Sequence, residues 1–160
     1  MLKNGEKAPD FNLVGSDCKQ YALADYGEKP LVLFFFRGKF CPTSKRYLIQ
    51  WQEFDRKIHN LGARLLAISY DSVENHAWMA ERYDIRFPLL SDSSLEVSRK
   101  YGVYIDRHED GFDHGEPGIV LLDKEGKVAY SIVSSGPKGL PGPGDIAPIL
   151  IYMFMHGGKY

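Results

Sequence analysis

Six consecutive apolar residues, Leu31-Val32-Leu33-Phe34-Phe35-Phe36, stand between Pro30 and Gly38. A strand with one face in water alternates apolar and polar residues, so an unbroken run of this length predicts a strand buried on both faces. Such a strand lies inside a sheet that has cover on each side, and a helix pattern follows it directly. From Pro42 to about Asn60 the apolar residues Tyr47, Leu48, Trp51, Phe54 and Ile58 recur at helical spacing, and Gly62 ends the pattern. Leu65 to Ile68 reads as a second buried strand. Asp71 and Glu74 have the spacing of a capping box that opens a helix running to about Tyr83. Strand, helix, strand in this order is a crossover unit with parallel strands.

The flanking segments extend the sheet. Phe11 to Leu13 and Tyr21 to Leu23 surround the turn Gly15-Ser16-Asp17 and predict an N-terminal β-hairpin. Phe87 to Leu90 is a short extended segment, and Ser93 with Glu96 repeats the capping-box spacing before a helix carrying Leu95, Val97 and Tyr101. Gly118 to Leu122 and Val128 to Ile132 flank Asp123-Lys124-Glu125-Gly126 as a second hairpin. A Gly- and Pro-rich loop, 134–144, precedes a closing helix near Asp145, and 156–160 is expected to fray. The result is an α/β chain: a mixed central β-sheet flanked by helices on both faces, with an N-terminal β-hairpin. This is the layout of a thioredoxin-like fold.

Length and composition limit the functions such a fold can serve. The 160 residues suit one domain, 1–160, and a composition 44% hydrophobic and 26% charged supplies a real core. A net charge of -1 gives no basic field for phosphate backbones or anionic lipid, so neither nucleic acid nor a membrane is an expected partner. MLKNGEKAPDFNL contains no apolar leader core, and the expected location is cytoplasmic. The two cysteines, Cys18 and Cys41, cannot build a disulfide framework or a four-thiolate metal site. Their chemistry is therefore redox or nucleophilic, with no cofactor and no metal expected.

Cys41 lies where the buried strand gives way to the helix, in Phe36-Arg37-Gly38-Lys39-Phe40-Cys41-Pro42-Thr43-Ser44. Proline suits the first helical position, which makes Cys41 the N-cap and leaves the Thr43 and Ser44 amides to point at its sulfur. Unpaired backbone donors, the positive helix end, Arg37 and Lys39 together favour a thiolate. The alternative is a buried structural cysteine. His108-Glu109-Asp110-Gly111-Phe112-Asp113-His114-Gly115-Glu116 gathers groups that bind divalent metals, but its polarity and glycines fit a solvated loop better. His59 and His76 fall on helices and His156 in the tail, with no recognisable Cys-His or Ser-His-Asp arrangement.

GEKAPDFNL, LVLFFFRGKFCP, LLAISYDS, FPLLSD, KYGV and VLLDKEGKV follow one another with spacing that resembles the peroxiredoxin superfamily, the alkyl hydroperoxide reductase and thiol-specific antioxidant proteins. The resemblance covers most of residues 4–133. It implies a thioredoxin fold, an active-site cysteine at the first turn of the helix and reduction of hydroperoxides. Aligning the family pattern PxxxTxxC on the end of the buried strand puts Arg37, Cys41 and Ser44 at the Pro, Thr and peroxidatic Cys positions. CPTS then resembles a thioredoxin-type CPxC that lacks its second cysteine, as in the peroxiredoxin-like subgroup with RGxxCPxC. A second register matches Cys41-Pro42-Thr43 to the CPT of the peroxidatic site and requires a three-residue deletion before it. Pro117 falls where the family carries a catalytic Arg, and it resembles the cis-proline that faces CxxC in thioredoxins.

These observations nominate Cys41, Ser44, Arg37, Thr43 and Pro117 as site residues. Ser44, one turn along the helix, is positioned to donate a hydrogen bond to the Cys41 sulfur, but it cannot resolve a mixed disulfide. Turnover then needs an external thiol, either a thioredoxin-like protein or a low-molecular-weight thiol, or else Cys18, whose plainer reading is a hairpin surface residue. The expected activity is thiol-disulfide exchange through Cys41, with thiol-dependent reduction of hydroperoxides as the alternative and a redox-silent binding module as the third reading. The substrate is accordingly a disulfide or a hydroperoxide. Peroxiredoxins often dimerise, so the resemblance also implies a homodimer.

Overall fold

In a computed structural model the described residues are 1–104, 111, 113–134, 136 and 139–160. Their strands are β1 (Asn12–Gly15), β2 (Gln20–Ala22), β3 (Leu31–Phe35), β4 (Arg64–Ser69), β5 (Leu89–Ser91), β6 (Gly118–Leu122) and β7 (Val128–Val133). The helices are α1 (Pro42–Asn60), α2 (Val73–Arg82), α3 (Glu96–Lys100) and α4 (Pro143–Met155). The strands form one sheet in the order β2-β1-β5-β4-β3-β6-β7. β3, β4 and β5 run parallel, while the β1/β2 and β6/β7 hairpins pair antiparallel at the two sides. The expected α/β, thioredoxin-like arrangement with an N-terminal hairpin is the observed one.

The unbroken apolar run of β3 feeds two cores. Val32, Phe34 and Phe36 face one, with Leu48 and Trp51 of α1 and Ile146 and Leu150 of α4. Leu31, Leu33 and Phe35 face the other, with Val97, Tyr101 and Phe11. Successive side chains of a strand point to opposite faces, so only a continuous apolar sequence serves both cores. β4 does the same, sending Leu65 and Ala67 one way and Leu66 and Ile68 the other. Phe34 is in ring contact with Phe36, Tyr47 and Trp51.

Several local expectations change. Ser72 rather than Asp71 caps α2, its hydroxyl accepting from Asn75 N at 3.1 Å. Before α3 it is Asp92, not Ser93, that takes the first-turn amides, from Val97 N at 3.2 Å and Ser98 N at 2.8 Å. Asp71 and Asp92 are both buried, which turns them from surface caps into interior acceptors. The last residues are also tied down: Lys124 N donates to Gly158 O, and Lys159 pairs with Glu125. No helix among the described residues is long and apolar enough to cross a membrane.

Replacing Phe34 by Ala should cost about 3–5 kcal/mol, because the cavity opens in the middle of one core where neither β3 nor α1 can collapse. The midpoint of urea unfolding, with an unchanged slope, measures that loss.

Candidate active site

The parallel strands β3 and β4 end side by side, and their carboxyl ends carry the site. Phe36 N donates to Ile68 O and continues the pairing one residue past β3. The chain then turns at Gly38, whose φ of +144° and tight surroundings exclude a side chain. A Cβ there would sit 2.7 Å from the Tyr70 ring and 3.1 Å from Asp71 Oδ2. Cys41 N donates to Gly38 O at 3.1 Å, and helix α1 begins at Pro42. Cys41 is the N-cap residue, in extended conformation and 5% exposed, as its position before Pro42 implied. The first turn of α1 contains no acidic residue to offset the positive helix end.

Other expectations at this junction are corrected. Cys41 makes no side-chain capping bond, and Ser44 N donates instead to the Cys41 carbonyl at 3.0 Å. Ser44 is buried, and its Oγ accepts from Gly38 N at 3.4 Å, so it braces the turn rather than the sulfur. Thr43 lies half-buried at the second helical position. Pro117 is buried opposite Phe36, beside the Phe35–Gly118 pair, and its peptide bond is trans. The likeness to a cis-proline therefore fails at this position.

Arg37 and Lys39 are both engaged. Lys39 Nζ lies 4.1 Å from the Trp78 ring centre and 3.5 Å from Asn75 Oδ1. The Arg37 guanidinium lies over Phe40, reaches Glu116 at 3.5 Å and donates to His114 Nε2 at 3.1 Å. A guanidinium can only donate, so His114 Nε2 accepts and Nδ1 carries the hydrogen given to Gly115 O at 2.7 Å. His114 and Glu116 are thus buried partners of Arg37 and not members of a solvated loop. His108, Glu109, Asp110 and Phe112 lie outside the described residues. Among the described residues no group of three or more His, Cys, Asp or Glu is placed to hold a metal ion.

A second buried cluster was not foreseen. Asp71 Oδ2 accepts from Lys39 N at 2.8 Å and from Ser69 Oγ at 3.0 Å. Ser69 Oγ also lies 2.7 Å from His76 Nε2, and His76 Nδ1 lies 3.3 Å from Ser91 Oγ. The serine stands between the acid and the imidazole, so this is not the order of a hydrolytic triad, in which the imidazole is central. Helical spacing placed His76 on α2. Only the packing of α2 against β4 and β5 shows that it faces inward.

Cys18 is exposed in the β1/β2 turn. β1 is separated from β3 by β5 and β4, which is three strand spacings or about 14 Å. The turn also continues past Leu89, toward the start of β5 and away from the strand ends that carry Cys41. A disulfide requires Cα atoms within roughly 7 Å, so the fold keeps the two thiols apart.

Burial lowers the His76 pKa from its ordinary value of 6.5 to about 4, against a smaller raising effect of its bond to the Leu89 carbonyl. The unfolded chain therefore binds a proton between about pH 6.5 and 4 that the folded chain refuses. Stability from this group is complete above pH 6.5 and declines by about 3 kcal/mol as the pH falls toward 4. Burial raises the pKa of the Asp71 carboxyl, which acts in the opposite sense over its own titration. Urea midpoints against pH should show the decline in the parent protein and a flatter curve in His76→Gln, which has no proton to gain.

The model of the AhpC/TSA family matches residues 4–131. A peroxiredoxin assigned to the rubredoxin operon of Clostridium pasteurianum is 34% identical over 144 residues, covering 81% of this chain and 77% of that one. Peroxiredoxin-4 of Dictyostelium discoideum is 36% identical over 145 residues, covering 82% of this chain and 53% of that longer one. Among solved structures, Enterococcus faecalis AhpC superposes with a TM-score of 0.84 at 20% identity, over 100% of this chain and 99% of that one. BcpB of Mycobacterium tuberculosis gives 0.80 at 22% identity, over 98% of each chain. At that identity the superpositions establish the fold, while the family match over most of the chain establishes descent. With the buried cysteine at the strand-to-helix junction, the chain belongs to the AhpC/TSA family and is a thiol-dependent oxidoreductase of the peroxiredoxin superfamily.

Proposed function

We propose that Cys41 is the nucleophile of a single-thiol cycle that reduces a hydroperoxide and is completed by an external thiol. The observation that carries this reading is the placement of Cys41 at the positive end of α1, with the other thiol of the chain three strands away. The Cys41 thiolate attacks one peroxide oxygen, the O–O bond breaks, and the departing alkoxide takes a proton to leave as alcohol or water. The sulfur is left as a sulfenic acid. An external thiol condenses with it, releasing water and forming a mixed disulfide, and a second thiol equivalent displaces Cys41 by exchange. Peroxide reduction and thiol-disulfide exchange are thus two halves of one cycle at the same sulfur.

The remaining site residues have supporting roles in this reading. Ser44 holds the Gly38 turn and offers no sulfur for resolution, so the reductant is a thioredoxin-like protein or a low-molecular-weight thiol. Thr43 contributes its place in the first turn of α1. Pro117 stands where the resemblance expects an arginine, and Arg37 brings a guanidinium to the adjacent Glu116 from the β3 side, so a cation reaches this end of the sheet by another route. A cytoplasmic setting goes with a chain whose two cysteines form no disulfide framework.

Disulfide exchange alone is the second reading, favoured by the serine at position 44 and the proline at 117. With excess thiol as reductant, the protein should consume hydroperoxide, Cys41→Ser should fall to the background rate, and Cys18→Ser should retain turnover. Oxidised protein should contain no Cys18–Cys41 disulfide by non-reducing peptide mass spectrometry. Consumption at the background rate, while Cys41 still exchanges with a disulfide, leaves the exchange reading in place and removes the peroxidase one.

A further inference from the structure

The loop between β3 and α1 has backbone donors that must be satisfied where the chain leaves the sheet. Gly38 N is taken by Ser44 and Cys41 N by the Gly38 carbonyl, both within the loop and first turn. The Lys39 amide is different, because it is held from outside, by Asp71 Oδ2 at 2.8 Å. Asp71 is 5% exposed and is itself fixed. The same oxygen accepts from Ser69 Oγ, which contacts His76 Nε2, and His76 in turn reaches Ser91. A chain of four side chains from β5, α2, β4 and the following loop therefore ends, through Asp71, on one backbone amide two residues before Cys41. Tyr70 and Asp71 also fill the space that a side chain at position 38 would need, so the turn fits only against this wall.

We infer that Asp71 is the positioning residue of the reactive cysteine: by accepting the Lys39 amide it holds the 38–41 loop against β4 and fixes Cys41 at the helix N-cap. The inference rests on the reading of Cys41 as the nucleophile. It adds a residue that does not touch the sulfur and acts through the backbone. A neutral carboxamide oxygen accepts the same two hydrogen bonds, so geometry rather than charge is the contribution, and asparagine should replace aspartate where alanine cannot.

The test is the rate of Cys41 alkylation by iodoacetamide near neutral pH, read by peptide mass spectrometry, with exposed Cys18 in the same chain as internal standard. It needs no peroxide, so failure of the peroxidase reading leaves it intact. Asp71→Ala should slow Cys41 by about tenfold or more, the scale on which small misplacements of a reacting group act, with Cys18 unchanged. Asp71→Asn should restore most of the rate. Loss of the fold would instead bring Cys41 to the rate of exposed Cys18 and is read independently by circular dichroism, and in that case Ser69→Ala, which removes the support behind Asp71, decides the matter by slowing Cys41 in a folded protein. An Asp71→Ala protein that is folded and as reactive as the parent, an Asp71→Asn protein as slow as Asp71→Ala, or a folded Ser69→Ala protein with parental reactivity overturns the inference.

Discussion

Burial of β3 on both faces is the constraint from which the other features follow. Leu31 to Phe36 present large apolar side chains alternately to two cores, and each core needs its own cover: α1 and α4 on one side, α3 and the N-terminal segment on the other. With about 25 cal/mol for each Å² of apolar surface removed from water, a strand of this composition outweighs any local preference near it. The strand is also where the chain must stop being apolar. Past Phe36 it leaves the sheet, and the polar groups it exposes there lie beside a buried core.

Those groups account for the site's unusual density of interior polar residues. A buried amide or carboxylate without a partner is destabilising by roughly 1–3 kcal/mol or more, so the ends of β3 and β4 are tied together by hydrogen bonds. On one side Arg37 joins Glu116 and His114, and on the other Asp71 joins the Lys39 amide, Ser69 and, through it, His76. Cys41 follows the loop residues of both groupings, Arg37 and Lys39, and caps α1. The thiol is held by a fixed backbone and helix terminus rather than by a side chain bonded to its sulfur.

The same architecture keeps the two thiols of the chain apart. A partner three residues along α1 would lie in the first helical turn, but that position carries Ser44, turned to the Gly38 amide. The other cysteine belongs to a hairpin at the opposite side of the sheet. In the proposed cycle the second sulfur therefore comes from an incoming thiol.

The sequence by itself determined the elements whose signals are periodic and local. The apolar run of β3, the helical spacing of Tyr47, Leu48, Trp51 and Ile58, the hairpin around Asp123–Gly126 and the N-cap place of Cys41 before Pro42 all follow from backbone geometry within a few residues. The family resemblance was legible because several such segments keep their order and spacing. Tertiary structure decided the partners. Asp71 carries the spacing of a helix cap, and His76 and His114 read as ordinary helix and loop residues. Their roles depend on burial against strands far away in sequence, and solvation, unlike periodicity, is a property of the assembled fold. The trans state of Pro117, the buried pairing of Arg37 and the distance between Cys18 and Cys41 were decided there as well, because each depends on which strands lie side by side.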